Sequence, residues 1–169
     1  MANKDLRNWI DEIDTAGELH EISGAEPKED IGGIVDIVQR KMGNPALMFD
    51  DIPGFPKGHR VLSNLLTSTP RINLALGLPE DASEMELIQW WRNYMSDAPS
   101  MPPKQVNGGP LLDNVTEGGD VDLTSIPTPV WHEHDGGHFI GTACMVVMKD
   151  PDSGWINYGT YRMQVHEPD

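Results

Sequence analysis

The sequence predicts a mixed α/β (α+β) chain in two parts, and three observations carry that prediction. Apolar residues recur at helical spacing in several segments before residue 97, interleaved with short apolar runs of strand length. Residues 98–110 then hold four prolines and two glycines, through which neither a helix nor a strand ladder can run. Beyond them the pattern turns extended, with two long apolar runs flanking a turn sequence. The expected organisation is an amino-terminal α/β domain over 1–97, a linker over 98–110 and a second, β-rich unit over 111–169.

Each element has a local reason. Leu6, Trp9, Ile10 and Ile13 fall on one face of a helix that Gly17 is placed to end. Leu19 to Ile22 alternates as a short strand does. Ile31, Ile34, Val35, Val38 and Met42 repeat the helical spacing, with Glu29 and Asp30 at the positive end of the dipole, Arg40 and Lys41 at the negative end, and Gly43 as the stop. Ala46 to Ile52 and Arg60 to Leu66 read as two strands separated by the turn-rich segment Pro53 to Gly58. A short helix covers Arg71 to Leu76. Ser83 and Glu86 form a capping-box pattern opening a helix to Ser96, whose Trp90, Trp91 and Tyr94 are expected in the core. Phe139 to Lys149 and Trp155 to His166 should pair as an antiparallel hairpin around Asp150 to Gly154, where proline fixes φ, aspartate caps locally and glycine accepts a left-handed conformation.

Composition excludes whole classes of partner. With 27 acidic against 12 basic side chains the formal net charge is −15, which opposes binding to nucleic acid or to an anionic membrane surface. The amino terminus, Met1 to Ile10, mixes charges and has no unbroken apolar segment, so neither a secretory signal nor a membrane anchor is expected there. Cys144 is the only cysteine, which rules out an internal disulfide and fits a reducing, cytoplasmic setting. It is read as a small core residue in preference to a reactive thiol. At 169 residues the chain is long enough to bury a real core.

The chemistry-bearing residues crowd into the last third. His132, Glu133, His134 and Asp135, with His138 beyond, read either as ligands of a hydrolytic zinc or iron site or as polar residues satisfying a buried turn. The second reading is preferred, because Asp135-Gly-Gly137 breaks the extended geometry that would bring i and i+2 histidines together, and the Asp135 carboxylate can accept from the Gly136 and Gly137 amides. Asn157 offers a neutral amide oxygen that suits a hard cation, or a hydrogen bond at a turn end. Arg162 offers a permanent charge and a planar fork for carboxylate or phosphate, or a surface ion pair. Five apart on a regular strand, Asn157 and Arg162 face opposite sides, so a shared site requires a bulge between them, for which Gly159 is the expected place.

These residues, in this order, resemble the UbiD-type decarboxylases that use prenylated FMN. The resemblance runs through Asp5 to Ile10, Gly17 to Leu19, Pro45 to Gly54 and Arg60 to Leu62. It is most specific over Ile126 to Gly137, Ile140 to Thr142, Asp150 to Asp152 and Asn157 to Arg162. It implies that the unit after the linker begins a split β-barrel that binds the flavin. By the same resemblance Asn157 helps hold Mn2+ against the cofactor phosphate, the Tyr158 carbonyl contributes to a K+ site, and Gly159, Thr160 and Tyr161 line the cofactor. Arg162 lies beside the flavin and orients the substrate carboxylate, which makes it the expected catalytic residue. His132, His134 and His138 match none of the family's metal ligands.

The implied reaction is reversible non-oxidative decarboxylation of an aromatic or α,β-unsaturated carboxylic acid. The implied partners are that small-molecule acid, a flavin prenyltransferase that supplies the cofactor, and, for a full-length form, further copies of itself. The family takes its proton donor and its remaining metal ligands from sequence downstream of Asp169, so the chain alone is expected to be inactive and to form the front part of a longer enzyme. Two other readings stay open at this point: a non-catalytic α/β subunit of a multi-subunit carboxylase, and a metal-dependent hydrolase built on the histidine cluster.

Overall fold

The computed structural model describes residues 5–100, 102 and 104–168. Met1 to Lys4 of the charged amino terminus, residues 101 and 103 of the linker, and Asp169 lie outside the described residues. The elements run α1 (Leu6–Thr15), β1 (Leu19–Ser23), α2 (Ile31–Gln39), β2 (Ala46–Asp50), β3 (Val61–Ser63), α3 (Thr69–Leu76), α4 (Glu84–Asp97), β4 (His138–Lys149) and β5 (Ile156–Val165). Short 3-10 turns at Pro110–Leu112, Gly118–Asp120 and Leu123–Ser125 punctuate the stretch between α4 and β4.

A three-stranded sheet in the order β1-β2-β3 organises the first part. β1 and β2 are parallel and are joined through α2, whereas β3 returns antiparallel to β2. The central strand β2 is buried on both faces, as expected where helices cover each side. Its alternation divides the core: Leu47 and Phe49 meet Ile31, Val35 and Ile52, while Ala46 and Met48 meet Ile13 and Leu19.

Caps and stops follow the local sequence closely. The Asp5 side chain accepts from the Asn8 amide in a capping box, and α1 ends with Gly17 at φ 72°, its amide donating to Asp14 while Glu18 donates to Ile13. Ser83 and Glu86 form the expected reciprocal cap of α4. Several expectations shorten on contact with the structure. α2 stops at Gln39 with Arg40 as its C-cap, and Met42 is fully exposed, while the Arg40 side chain pairs with Asp36 one turn back. β2 and β3 end at Asp50 and Ser63, where Asp51 and Asn64 take positive φ and break the ladder.

The core placement of the α4 aromatics is also corrected. No residue of α4 is buried, Trp91 and Tyr94 are exposed, and Trp90 stacks on Tyr94 at 5.1 Å between ring centroids along the helix surface. An apolar groove between α3 and α4, walled by Ile72, Leu76, Leu87 and Trp91, stays open.

Arg71 is the polar centre of the sheet. It has no solvent exposure and donates to Glu18 at 2.5 Å, to the carbonyls of Asn44, Asn64 and Leu65, and to Thr67. Glu18 precedes β1, Asn44 precedes β2, and Asn64 to Thr67 follow the antiparallel β3, so one guanidinium gathers the chain at one end of all three strands.

The second part is anchored to this core by the segment leading into β4. The Val130 amide donates to Pro27, and Trp131 packs against the cluster around Ile31 and Phe49. α2 passes so near that a Cβ on Gly32 would lie 2.5 Å from the carbonyl oxygens of Val130 and Trp131. The hairpin β4–β5 follows from the Asp150 to Gly154 turn as expected: Asp150 accepts from the Asp152 and Ser153 amides, and Gly154 sits at φ 72°.

Candidate functional site

The candidate site is built on the hairpin and the turn that precedes it. From Lys149–Ile156 to Cys144–Tyr161 the ladder is regular. An uninterrupted ladder would next set Arg162 opposite Ala143, but β4 carries extra residues between Phe139 and Gly141 and between Gly141 and Cys144. Phe139 and His138 therefore pair with Gln164 and Val165, two residues nearer the hairpin turn along β5 than strict counting would place them. Cys144 Sγ sits where a Cβ on Gly141 would lie, so the thiol packs against the bare Cα at the bend. Cys144 is half-buried at the bend and lines a cleft, a correction to its expected place in the core.

The irregularity does not fall at Gly159. That residue pairs in register with Val146, and its bare Cα is covered by the Tyr161 ring, whose nearest atom would be 2.7 Å from an added Cβ. Strand alternation leaves Asn157, Gly159 and Tyr161 on one face and Tyr158, Thr160 and Arg162 on the other. Asn157 and Tyr158 are exposed opposite Met148 and Val147, and Thr160 lies opposite Met145.

Arg162 is the focus of the other face. Its Nη1 and Nη2 donate to the two carboxylate oxygens of Asp135 at 2.8 and 2.5 Å, and its Cζ stands 3.6 Å from the centroid of the Phe139 ring. Asp135 also accepts from the His132 amide at 3.0 Å, while its own amide donates to the His132 carbonyl. The Arg162 hydrogen bonds, foremost, and the His132 amide hold the Asp135 carboxyl below its ordinary value of 3.8 against the opposing effect of desolvation. The Arg162 guanidinium is raised in turn by Asp135. Next to Asp135, the Gly136 carbonyl accepts from Gln164 of β5.

Two expectations for this turn are corrected. Asp135 bonds to His132 and Arg162 where the Gly136 and Gly137 amides had been expected, and His132 and His134 are exposed where a buried turn had been expected. Among the described residues no three His, Cys, Asp or Glu side chains assemble as metal ligands, and His138 Nδ1 instead pairs with the Thr128 carbonyl at 2.5 Å. The residues that sequence reasoning missed are Asp135 and Phe139 as partners of Arg162. Their signal is invisible along the chain because the extra residues of β4 decide which side chains reach β5.

Comparison with known proteins places the chain in a family. Residues 10–91 match the model of the 3-octaprenyl-4-hydroxybenzoate carboxy-lyase N-terminal domain, and residues 104–169 match that of the carboxy-lyase Rift-related domain. The chain is 30% identical over 169 residues to pyrrole-2-carboxylic acid decarboxylase of Pseudomonas aeruginosa, covering 95% of this chain and 34% of that protein. It is 35% identical to a phenolic acid decarboxylase of a Streptomyces species, covering 98% of this chain and 36% of that protein. The vanillic acid decarboxylase of Sedimentibacter hydroxybenzoicus in closed form superposes with a TM-score of 0.88 at 29% identity, over 100% of this chain and 36% of the other. The chain thus spans about a third of the length of the curated relatives it matches. With both matched domains, the shared fold and the decarboxylase relatives in agreement, this chain belongs to the UbiD family of carboxy-lyases.

Proposed function

We propose that the chain supplies the carboxylate-binding edge of a UbiD-type carboxy-lyase acting on an aromatic or α,β-unsaturated carboxylic acid. One observation carries the reading. Arg162 stands against an aromatic face with its end-on pair of donors held by Asp135 and its Nε edge without a partner among the described residues, so that edge suits the head group of such an acid. The relatives named for pyrrole-2-carboxylic, phenolic and vanillic acids point to the same substrate class. The division at 98–110 belongs to this proposal; the two matched ranges, 10–91 and 104–169, leave a gap that overlaps its first half.

The residues present fit the cofactor in part. Arg162 suits a substrate carboxylate, and Asn157, exposed and uncharged, suits one oxygen position on a hard cation such as Mn2+, but the two stand on opposite faces of β5, so the strand by itself does not bring them to one point. The Tyr158 carbonyl would serve K+, and Gly159, Thr160 and Tyr161 would line the flavin. When bound, prenylated FMN supplies an electron sink for the carbon that loses CO2. Arg162 binds the carboxylate and aligns its C–C bond, and the Phe139 ring shields one side of the guanidinium from water. Supply of the cofactor by a flavin prenyltransferase and assembly of the longer enzyme with copies of itself complete the reading. No helix is long and apolar enough to cross a membrane among the described residues.

The test is a chimaera in which this chain replaces the corresponding residues of the Pseudomonas aeruginosa decarboxylase, co-expressed with a flavin prenyltransferase. Flavin absorbance, bound manganese and release of CO2 from pyrrole-2-carboxylate are expected, with a loss on the order of a hundredfold in Arg162→Ala. A chimaera that folds and binds cofactor but keeps full activity in Arg162→Ala and Asn157→Ala would refute the site assignment.

A further inference from the structure

We propose that Asp135 is the positioning residue that aims the Arg162 guanidinium at an incoming substrate carboxylate. The proposal rests on the carboxylate-binding reading of Arg162 and adds to it the group that sets the arginine's direction.

A guanidinium presents five N–H donors in one plane, grouped as an end-on pair and a side-on edge. Asp135 takes the end-on pair, one hydrogen from each Nη, at 2.8 and 2.5 Å. The side-on edge, formed by Nε and the neighbouring Nη, has no partner among the described residues and is shaped for a second carboxylate. Two constraints orient that edge. The fork to Asp135 fixes rotation within the plane, and the Phe139 ring at 3.6 Å fixes its tilt.

Asp135 is itself anchored. The His132 amide holds its carboxylate, its own amide closes the turn on the His132 carbonyl, and Gln164 ties the adjoining Gly136 carbonyl to β5. Its side chain is 10% exposed whereas that of Arg162 is 33% exposed, so the acid forms the back of the site and the arginine its open side. An ordinary surface ion pair lacks this closed ring of contacts and loses its geometry to side-chain freedom. An acid that merely occupied the substrate's seat would have to leave it, and the bonds from the turn oppose that.

The test uses the full chain, labelled with 15N, and pyrrole-2-carboxylate as the probe, with pyrrole as the control lacking the carboxylate. The Arg162 Nε resonance, identified by its absence in Arg162→Lys, is expected to be sharp and to shift with the acid but not with pyrrole. In Asp135→Asn, which keeps an oxygen for the His132 amide, that resonance should broaden into the range of solvated arginines and the dissociation constant should rise on the order of ten- to a hundredfold. Asp135→Glu, which restores a carboxylate, should recover part of the affinity.

An unchanged Nε resonance and affinity in Asp135→Asn would overturn the positioning role, as would tighter binding, which would make Asp135 a competitor. A loss as large in Asp135→Glu as in Asp135→Asn would reduce the residue to a turn element and also overturn it. Failure of the underlying reading has a different signature: the acid would not move the Arg162 resonance in the unsubstituted chain.

Discussion

Arg71 and Glu18, 53 residues apart, meet at 2.5 Å around an arginine with no solvent exposure. The pair closes the end of the sheet at which β1 and β2 begin and β3 finishes. Removing the guanidinium strands Glu18 together with the carbonyls of Asn44, Asn64 and Leu65. Arg71→Ala should therefore cost about 3–5 kcal/mol of stability. Arg71→Lys should recover only a part, since three donors on one nitrogen cannot reach the same set. Urea unfolding followed by far-UV circular dichroism measures both, and a change below about 1 kcal/mol for the alanine variant would contradict the network.

Gly32 and Gly33 are neighbours in α2 with opposite environments. A methyl at Gly32 meets backbone oxygens at 2.5 Å, whereas one at Gly33 meets nothing within 4 Å. Gly32→Ala is expected to destabilise by about 1–3 kcal/mol through overpacking. Gly33→Ala is expected to stabilise by about 0.5–1 kcal/mol, because a helical glycine loses more backbone freedom on folding. Equal shifts in the two unfolding midpoints would mean that Val130 and Trp131 do not press on the helix.

The Asp135–Arg162 contact should have an acid limb and no neutral one. Because the folded carboxyl lies below 3.8, its contribution is complete above that value and is lost as pH falls through the lowered one. The Arg162 Nε resonance, whose guanidinium ends on the same carboxylate, should stay constant from pH 7 to about 5 and shift only under more acid conditions. A transition near pH 6.5 would assign the effect to an imidazole instead.

Arg162→Lys separates charge from shape. On the proposed reaction, the negative charge of the carboxylate would move away from the arginine as CO2 departs, so the ionic contact would be strongest in the bound substrate. Lysine keeps that charge without the planar fork. In the chimaera the substitution should raise KM clearly while kcat falls through misalignment, and a fall in kcat with KM unchanged would show that the arginine acts only in the transition state.

What the sequence disclosed about the fold was local. The α1 spacing with Gly17, the Ser83–Glu86 cap and the Asp150 turn are each decided within a few residues, and each took the expected form. The α4 aromatics show the limit, since their stripe identifies a helix with an apolar side but not what covers it. At the candidate site Arg162 could be singled out by its chemistry, but its partner could not. Asp135 lies 27 residues away and is brought within reach by extra residues in the facing strand that no periodicity announces.

That bend makes the hairpin unequal in its tolerance of length changes. Lengthening the exposed turn at Asp150 to Gly154 adds chain at the tip and leaves every pair from Lys149–Ile156 inward as it is. Deleting one residue between Phe139 and Cys144 slides the start of β4 by about 3.4 Å along β5 and turns its side chains to the opposite face. The hairpin would still form, yet the acid and the ring would no longer meet the arginine. Variation in length can therefore accumulate at the tip, whereas a single lost codon at the bend would disconnect the site.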